Sequence, residues 1–201
     1  MKTETTPAAA KLPREEVTRQ RILAAAKELF TRHGVENVNI HQIVKHAGVG
    51  QASVYRRYSE KGDICLDIIR EECVPLFSEV QAYLEQASAA DISPLEQFYG
   101  VILKYVDYLA QKSSWLCAVS RASSGYRPLQ SPLYQSMRSA CRGLLEQALE
   151  QGEVVNVDTA FTVETLLATV NNIDFHTLDH GFSLEQIHAG LRRLYVDGLR
   201  A

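Results

Sequence analysis

The chain has 201 residues, enough for one well-packed core and a small second domain, and too few for a long repeat array or a large multidomain enzyme. Eleven Gly and six Pro make about 8% of it, below the roughly 12% of average proteins, so the many tight turns of a β-sandwich are not available and a helical class is expected. The net charge of −3 by itself argues against a nucleic-acid partner, but it is unevenly divided. Residues 1–62 carry eleven Lys and Arg against six Glu, a net +5, which leaves −8 on residues 63–201. A basic head on an acidic body directs attention to an anionic partner for the head.

Residues 1–13 contain no apolar run between their lysines and read as a short disordered arm rather than a signal peptide. From Glu15 to His33, the residues Ile22, Ala25, Ala26, Leu29 and Phe30 recur at helical spacing, closed by Gly34. Asn39 is a good N-cap for a short helix carrying Ile40, Ile43, Val44 and Ala47, which Gly48 ends. Gly48-Val49-Gly50 leads into another short helix, Gln51 to Tyr58, with Val54 and Tyr58 on one face. Two short helices about a glycine-containing turn form a helix-turn-helix pattern.

A longer helix is expected from about Asp63 to Gln86, with Pro75 predicting a kink or break. Ser93-Pro94-Leu95-Glu96 combines an N-cap, a first-turn proline and a capping-box Glu, and starts a helix to about Lys112. A separate short helix is expected over Ser114 to Ser124, and Ser131-Pro132 opens one that runs to Gly152. Asp158 caps a helix through Leu166, Leu167, Val170 and Ile173 to about His180. Ser183 and Gln186 form a capping box, flanked by a Phe182 to Ile187 staple, at the start of the last helix. The expectation is nine helices, no strand and an all-α class. No stretch approaches the 18 apolar residues of a membrane span, so a cytoplasmic protein without membrane contact is expected. Cys65, Cys73, Cys117 and Cys141 are then reduced and mostly buried thiols.

The helix-turn-helix is where chemistry can be assigned, because the second helix of such a unit lies in the DNA major groove with its N-terminal residues at the base edges. Here these are Gln51, Ala52 and Ser53. Gln pairs with adenine N6 and N7, Ser reads several edges, and Ala52 is small enough to meet a thymine methyl. Tyr55, Arg56, Arg57 and Lys61 follow on the flank where phosphates lie.

The run Arg21-Ile22-Leu23-Ala24-Ala25-Ala26 with Leu29-Phe30 and Gly34, then Ile43-Val44 and Ala47-Gly48-Val49, then Val54-Tyr55-Arg56-Arg57-Tyr58 and Lys61-Gly62-Asp63-Ile64, resembles the TetR family of bacterial transcriptional regulators. The resemblance implies a three-helix DNA-binding domain over residues 14–62 and a six-helix effector-binding and dimerisation domain over 63–201. It implies a homodimer on a palindromic operator, repression as the usual mode, and release when a small molecule binds the C-terminal domain. By position, Gln51, Ala52 and Ser53 look like base or groove readers, with His41 as a second reader on the preceding helix. Tyr55, Arg57 and Lys61 match usual phosphate contacts, and Asn39 and Arg56 complete the candidate DNA-binding set with Gly50. Two positions depart from the family pattern: Ile40 stands where Thr is common, and Gly50 where Ser or Thr often caps the recognition helix. The Gly50 N–H can still approach a phosphate.

In the body, Phe77, Tyr99, Trp115, Cys117, Arg121 and Tyr126 combine aromatics with a few polar groups and would suit an effector pocket, Arg121 taking an anionic or polar group. Leu166, Val170, Ile187, Leu191 and Leu194 are the expected dimer seam, on the last two helices through which the family dimerises. Gly190 and Gly198, eight apart, would allow close helix approach there. His176 and His180, with Asp179 nearby, have metal-pair spacing, but two ligands make no site and an interface or surface role is favoured. Nothing in the sequence lowers the pKa of Cys65 or Cys73 as a thiol sensor would require. No cofactor is implied. An enzyme is disfavoured: a single Glu-x-x-His, Glu185 to His188, stands in the first turn of a helix, and no G-x-S-x-G or H-E-x-x-H occurs. The alternative that keeps the fold is an architectural or partner-binding DNA protein without an effector.

Overall fold

The structure is a computed structural model that describes residues 13–201 apart from 124, 126, 172 and 174; the side chains of 113, 114, 116, 117, 128 and 175 also lie outside the description. The arm expected over 1–13 therefore lies almost wholly outside the described residues.

Eight α-helices follow one another among the described residues, with a single isolated β-bridge between Val154 and Arg200. Helix α1 (Arg14–His33) buries Ile22, Leu23, Ala25, Ala26 and Phe30, and ends at Gly34, whose φ of 80° is open to glycine. Helices α2 (Ile40–Ala47) and α3 (Gln51–Arg57) pack across it through Ile43, Val44, Ala47 and Val54. Asn39 starts α2 with a full capping box: its side chain accepts from the Gln42 N–H, and Gln42 accepts from the Asn39 N–H.

Helix α4 (Lys61–Ala89) begins two residues earlier than the spacing predicts, because Glu60 and Asp63 form a reciprocal cap. It runs through Pro75 without a break. Helix α5 (Pro94–Arg121) is also continuous, so the separate helix expected from Ser114 is the last part of α5. Two serines cost a helix only tenths of a kcal/mol each, less than the packing of Leu109 and Val119 on either side supplies. The capping box expected at Ser93 does not form; Glu96 instead binds Arg192 and Arg200. Helices α4 and α5 approach so closely that a Cβ on Gly100 would stand 1.9 Å from the Tyr83 hydroxyl.

A 3-10 turn at Pro128–Gln130 leads to α6 (Pro132–Glu150). Helix α7 (Thr159–Val170), capped by Asp158, is followed by a wide π turn at Phe175–Asp179, so helical backbone recurs up to the expected end near His180. Helix α8 (Leu184–Tyr195) has the predicted Ser183 and Gln186 capping box. Gly198 lies beyond it in a terminal 3-10 turn, Asp197–Leu199, so the two glycines do not share one helix.

The core joins both halves of the chain. Phe98, Tyr105, Met137, Leu145 and Leu166 are fully buried among α5, α6 and α7, while Ile64 and Ile68 carry the same cluster into α1 to α3. The basic head and the acidic body meet along α4. Arg19 of α1 grips Asp67 with two hydrogen bonds of 2.9 and 3.1 Å, and the Tyr58 hydroxyl donates to the same carboxylate at 2.6 Å. Lys27 bridges Glu71 and Glu72 at 2.6 and 2.8 Å, and Lys112 of α5 reaches Glu72 at 3.1 Å. Burial alone would push the Asp67 carboxyl up, but the hydrogen bonds from Arg19 and Tyr58 outweigh it and hold the group below its usual range. Glu72 is lowered in the same way, by Lys27 and Lys112 against burial.

Candidate nucleic-acid interface

The short α3 is fixed by what it buries. Val54 is wholly enclosed and Tyr58, just past the helix end, is 3% exposed. Rotating a helix so that Val54 points inward leaves Gln51, Ala52, Ser53, Tyr55, Arg56 and Arg57 outward, and all six are exposed. Gly48, at φ 60°, turns the chain between α2 and α3. Gly50 gives α3 no side-chain cap, as its lack of side chain requires, so the first N–H groups of α3 remain available to an anion.

The remaining candidates divide. His41 is exposed on the first turn of α2. Asn39 is exposed as well, but its carbonyl oxygen is occupied in capping α2. Lys61 is half-buried and donates to the Val35 carbonyl at 2.7 Å, which ties the first turn of α4 to the α1–α2 connection. An ammonium has three donors, so two are left. Among the described residues the only ion pair of Arg56 is a 3.4 Å contact with Glu15, both ends exposed, and Arg57 lies 5.9 Å from the Tyr58 ring. Charge counting alone gives Arg21 and Lys45 no role. The fold leaves both exposed, with the Arg21 guanidinium against the α2–α3 turn, 3.7 Å from where a Gly48 Cβ would stand.

Two crossed helices joined by a glycine turn, the second bearing an outward row of amide, hydroxyl and guanidinium groups, define a helix-turn-helix DNA-binding protein. The family model for bacterial regulatory proteins of the tetR family matches residues 22–68, which span this unit. Across the whole chain it is similar to an HTH-type transcriptional regulator of Staphylococcus aureus, 24% identical over 185 residues that cover 89% of this chain and 92% of that one. The fold is shared with the fatty acid degradation regulator FadR of Bacillus halodurans at a TM-score of 0.67 and 17% identity, over 92% of this chain and 96% of that one. It is shared likewise with the TetR-family regulator PfmR of Thermus thermophilus at a TM-score of 0.61 and 21% identity, over 91% and 97%. The match over the helix-turn-helix, the similar HTH-type regulators and the shared fold together support a TetR-family transcriptional regulator.

Of the six predicted pocket residues, the four with described side chains do not line one cavity. Tyr99 faces α8, donating to the His188 carbonyl at 3.3 Å beneath the Arg192 guanidinium, 4.8 Å from its ring. Phe77 and Trp115 are half-buried against the core, and Arg121 is exposed at the end of α5. Tyr126 and the Cys117 side chain lie outside the described residues. Neither the apolar groove nor the cavity of the body is lined by Phe77, Tyr99, Trp115 or Arg121. Aromatic content alone does not reveal which helix face turns toward a void.

The expected dimer seam is also redistributed. Leu166, Val170 and Leu191 are 0, 2 and 3% exposed, so they belong to the core of their own chain; Ile187 is half-buried and Leu194 is 65% exposed. Around Leu194 an apolar groove of about 340 Å³ opens between α7 and α8, with Ile173, Phe182 and Ile187 in its walls and Val170 and Leu191 at its base. His176 lines this groove, whereas His180 lies 5.8 Å from the Phe182 ring. No group of three metal-ligating side chains occurs among the described residues. Burial pushes the Cys65 and Cys73 thiols up to about 11, and raises Cys141 further, so these sulfurs stay protonated and unreactive. No helix of the described residues is long and apolar enough to cross a membrane.

Proposed function

We propose that the protein is a repressor that binds a palindromic operator as a homodimer and leaves it when a small molecule enters the body. The observation that carries this reading is the outward face of α3: Gln51, Ala52 and Ser53 at its N-terminal end, with Tyr55, Arg56 and Arg57 beside them, all exposed. Gln51 and Ser53 take base edges, Ala52 the thymine methyl, and His41 a neighbouring edge. Tyr55, Arg56, Arg57, the Gly50 N–H and the two spare donors of Lys61 take phosphates. Asn39 supports α2 through its cap and adds its exposed amide to the same face.

The groove between α7 and α8, with Leu194 and Phe182 exposed, supports pairing with a second copy, since a contiguous apolar surface of this kind is unfavourable in water. A two-fold dimer presents its recognition helices about 34 Å apart, so anything that changes their separation weakens operator binding. On this reading residues 14–62 form the DNA-binding unit and residues 63–201 the dimerising and effector-binding unit, joined by α4.

The test is binding-site selection from random duplex DNA with the purified full chain. The expected product is one palindrome with half-sites about one helical turn apart. Recovery of no common sequence, or of an unpaired half-site bound by a monomer, overturns the proposal.

A further inference from the structure

The acidic body contains a cavity of the opposite character. Between α4, the C-terminal end of α5 and the start of α6 lies a space of about 250 Å³ whose lining includes Arg70 and Arg127 and no Asp or Glu. Four other body arginines sit on carboxylates: Arg138 on Glu164, Arg142 on Glu146, and Arg192 and Arg200 on Glu96. Among the described residues neither Arg70 nor Arg127 has such a partner. Leu66, Ile69 and Pro132 supply an apolar wall, and the Ser131 hydroxyl beside it makes no cap bond to its own helix.

We propose that this cavity binds a small organic anion, a carboxylate or phosphate on a short apolar stem, with the charged head between the Arg70 and Arg127 guanidiniums. Guanidinium forks bind planar or tetrahedral oxyanions bidentately, and they do so without the dehydration that makes ammonium groups poorer partners at a partly enclosed site. The apolar wall takes the stem. The volume of about 250 Å³ lies below the roughly 300–1,000 Å³ of drug-sized sites and suits a small ligand.

The position links the cavity to DNA binding. Ser123 and Gly125 line it on one side, and on the other they line a wider groove walled by Glu36–Ile40 and Ser59–Gly62 of the head. Ser123 and Gly125 thus form a partition between the anion cavity and the two loops that flank the helix-turn-helix. An anion that draws Arg127 toward Arg70 moves this partition, which makes the anion the releasing effector. This last step rests on the proposed ligand-released regulator; binding of the anion does not.

Calorimetric titration of the full chain with benzoate, phenyl phosphate and neutral benzyl alcohol, at constant ionic strength, tests the site. Either anion is expected to bind one per chain and to raise Tm, and which of them does so identifies the head group. Benzyl alcohol is expected to do neither. Arg70 and Arg127 are exposed, so the double variant Arg70→Gln/Arg127→Gln should fold with an unchanged Tm in the absence of ligand and lose about tenfold or more in anion affinity. The site is overturned if neither anion binds at about 10 mM, if benzyl alcohol binds equally, or if the double variant binds the anions as tightly as the parent. A gel shift on the selected operator separates the two claims. Anion binding that leaves operator affinity unchanged overturns release alone, and operator binding with no anion bound overturns the site alone.

Discussion

Helices α3 and α4 adjoin at Tyr58, and they are built on opposite terms. The seven residues of α3 bury one side chain and lack a side-chain cap, and a helix of that length is marginal in water by itself. The 29 residues of α4 bury eight and start with a reciprocal cap. A recognition helix keeps its side chains for its partner and borrows its shape from its neighbours; the connecting helix keeps them for the fold. What joins the two is the carboxylate of Asp67, held from α1 by Arg19 and from the end of α3 by the Tyr58 hydroxyl.

This contrast can be broken at its strongest point first. Asp67→Ala leaves Arg19 and Tyr58 without their shared acceptor in a partly buried setting and should cost about 2–3 kcal/mol of stability by chemical denaturation. The same variant sharpens the electrostatics. A carboxylate lowered in the folded state stabilises above its unfolded pKa of about 4 and loses that contribution as pH falls through the folded value. Acid unfolding of the parent should therefore be steeper below about pH 4 than that of Asp67→Ala. If the two acid curves are parallel, the junction is not electrostatic.

Next in size, Gln51→Ala should weaken binding to the selected operator by about 1–3 kcal/mol and relax its sequence preference, with no change in unfolding. Unchanged specificity would remove Gln51 as a base reader. Leu194→Lys places a charge on the exposed face between α7 and α8 and should weaken dimerisation about tenfold in sedimentation equilibrium while leaving the monomer folded. Smallest of all, Arg56→Ala should leave stability within about 0.5 kcal/mol, since its Glu15 contact is exposed at both ends. It should weaken every DNA sequence alike and lower the salt slope by about one.

Much of the head is legible in its sequence because short-range chemistry decides it. The apolar register of Ile22, Ala26, Ile43, Val54 and Tyr58 and the cap at Asn39 act over one or two turns and recur in the structure, as do the equally local caps at Asp158 and Ser183 in the body. The body is less legible because its decisions are made at a distance. Periodicity marks Leu166, Val170 and Leu191 as apolar without saying whether their own chain or a second one covers them. Glu96 has the spacing of a cap, but Arg192 and Arg200, about a hundred positions away, claim its carboxylate. Lys61 reads as a free cation until the Val35 carbonyl comes within 2.7 Å. The Arg70 and Arg127 cavity had no signal at all, because it joins residues 57 positions apart on elements whose adjacency follows only from packing.

Pro75 gives α4 a mechanical property. Without an N–H at that position the Glu71 carbonyl loses its partner one turn away, so the rod has its most compliant section immediately beyond the residues that grip α1. Tyr108 of α5 stands at this section, its hydroxyl donating to the Glu72 carbonyl at 3.0 Å. The segment from Lys61 to Glu72 is thus fastened to α1 and α5 on one side of Pro75, and the missing hydrogen bond falls just past the last of these ties.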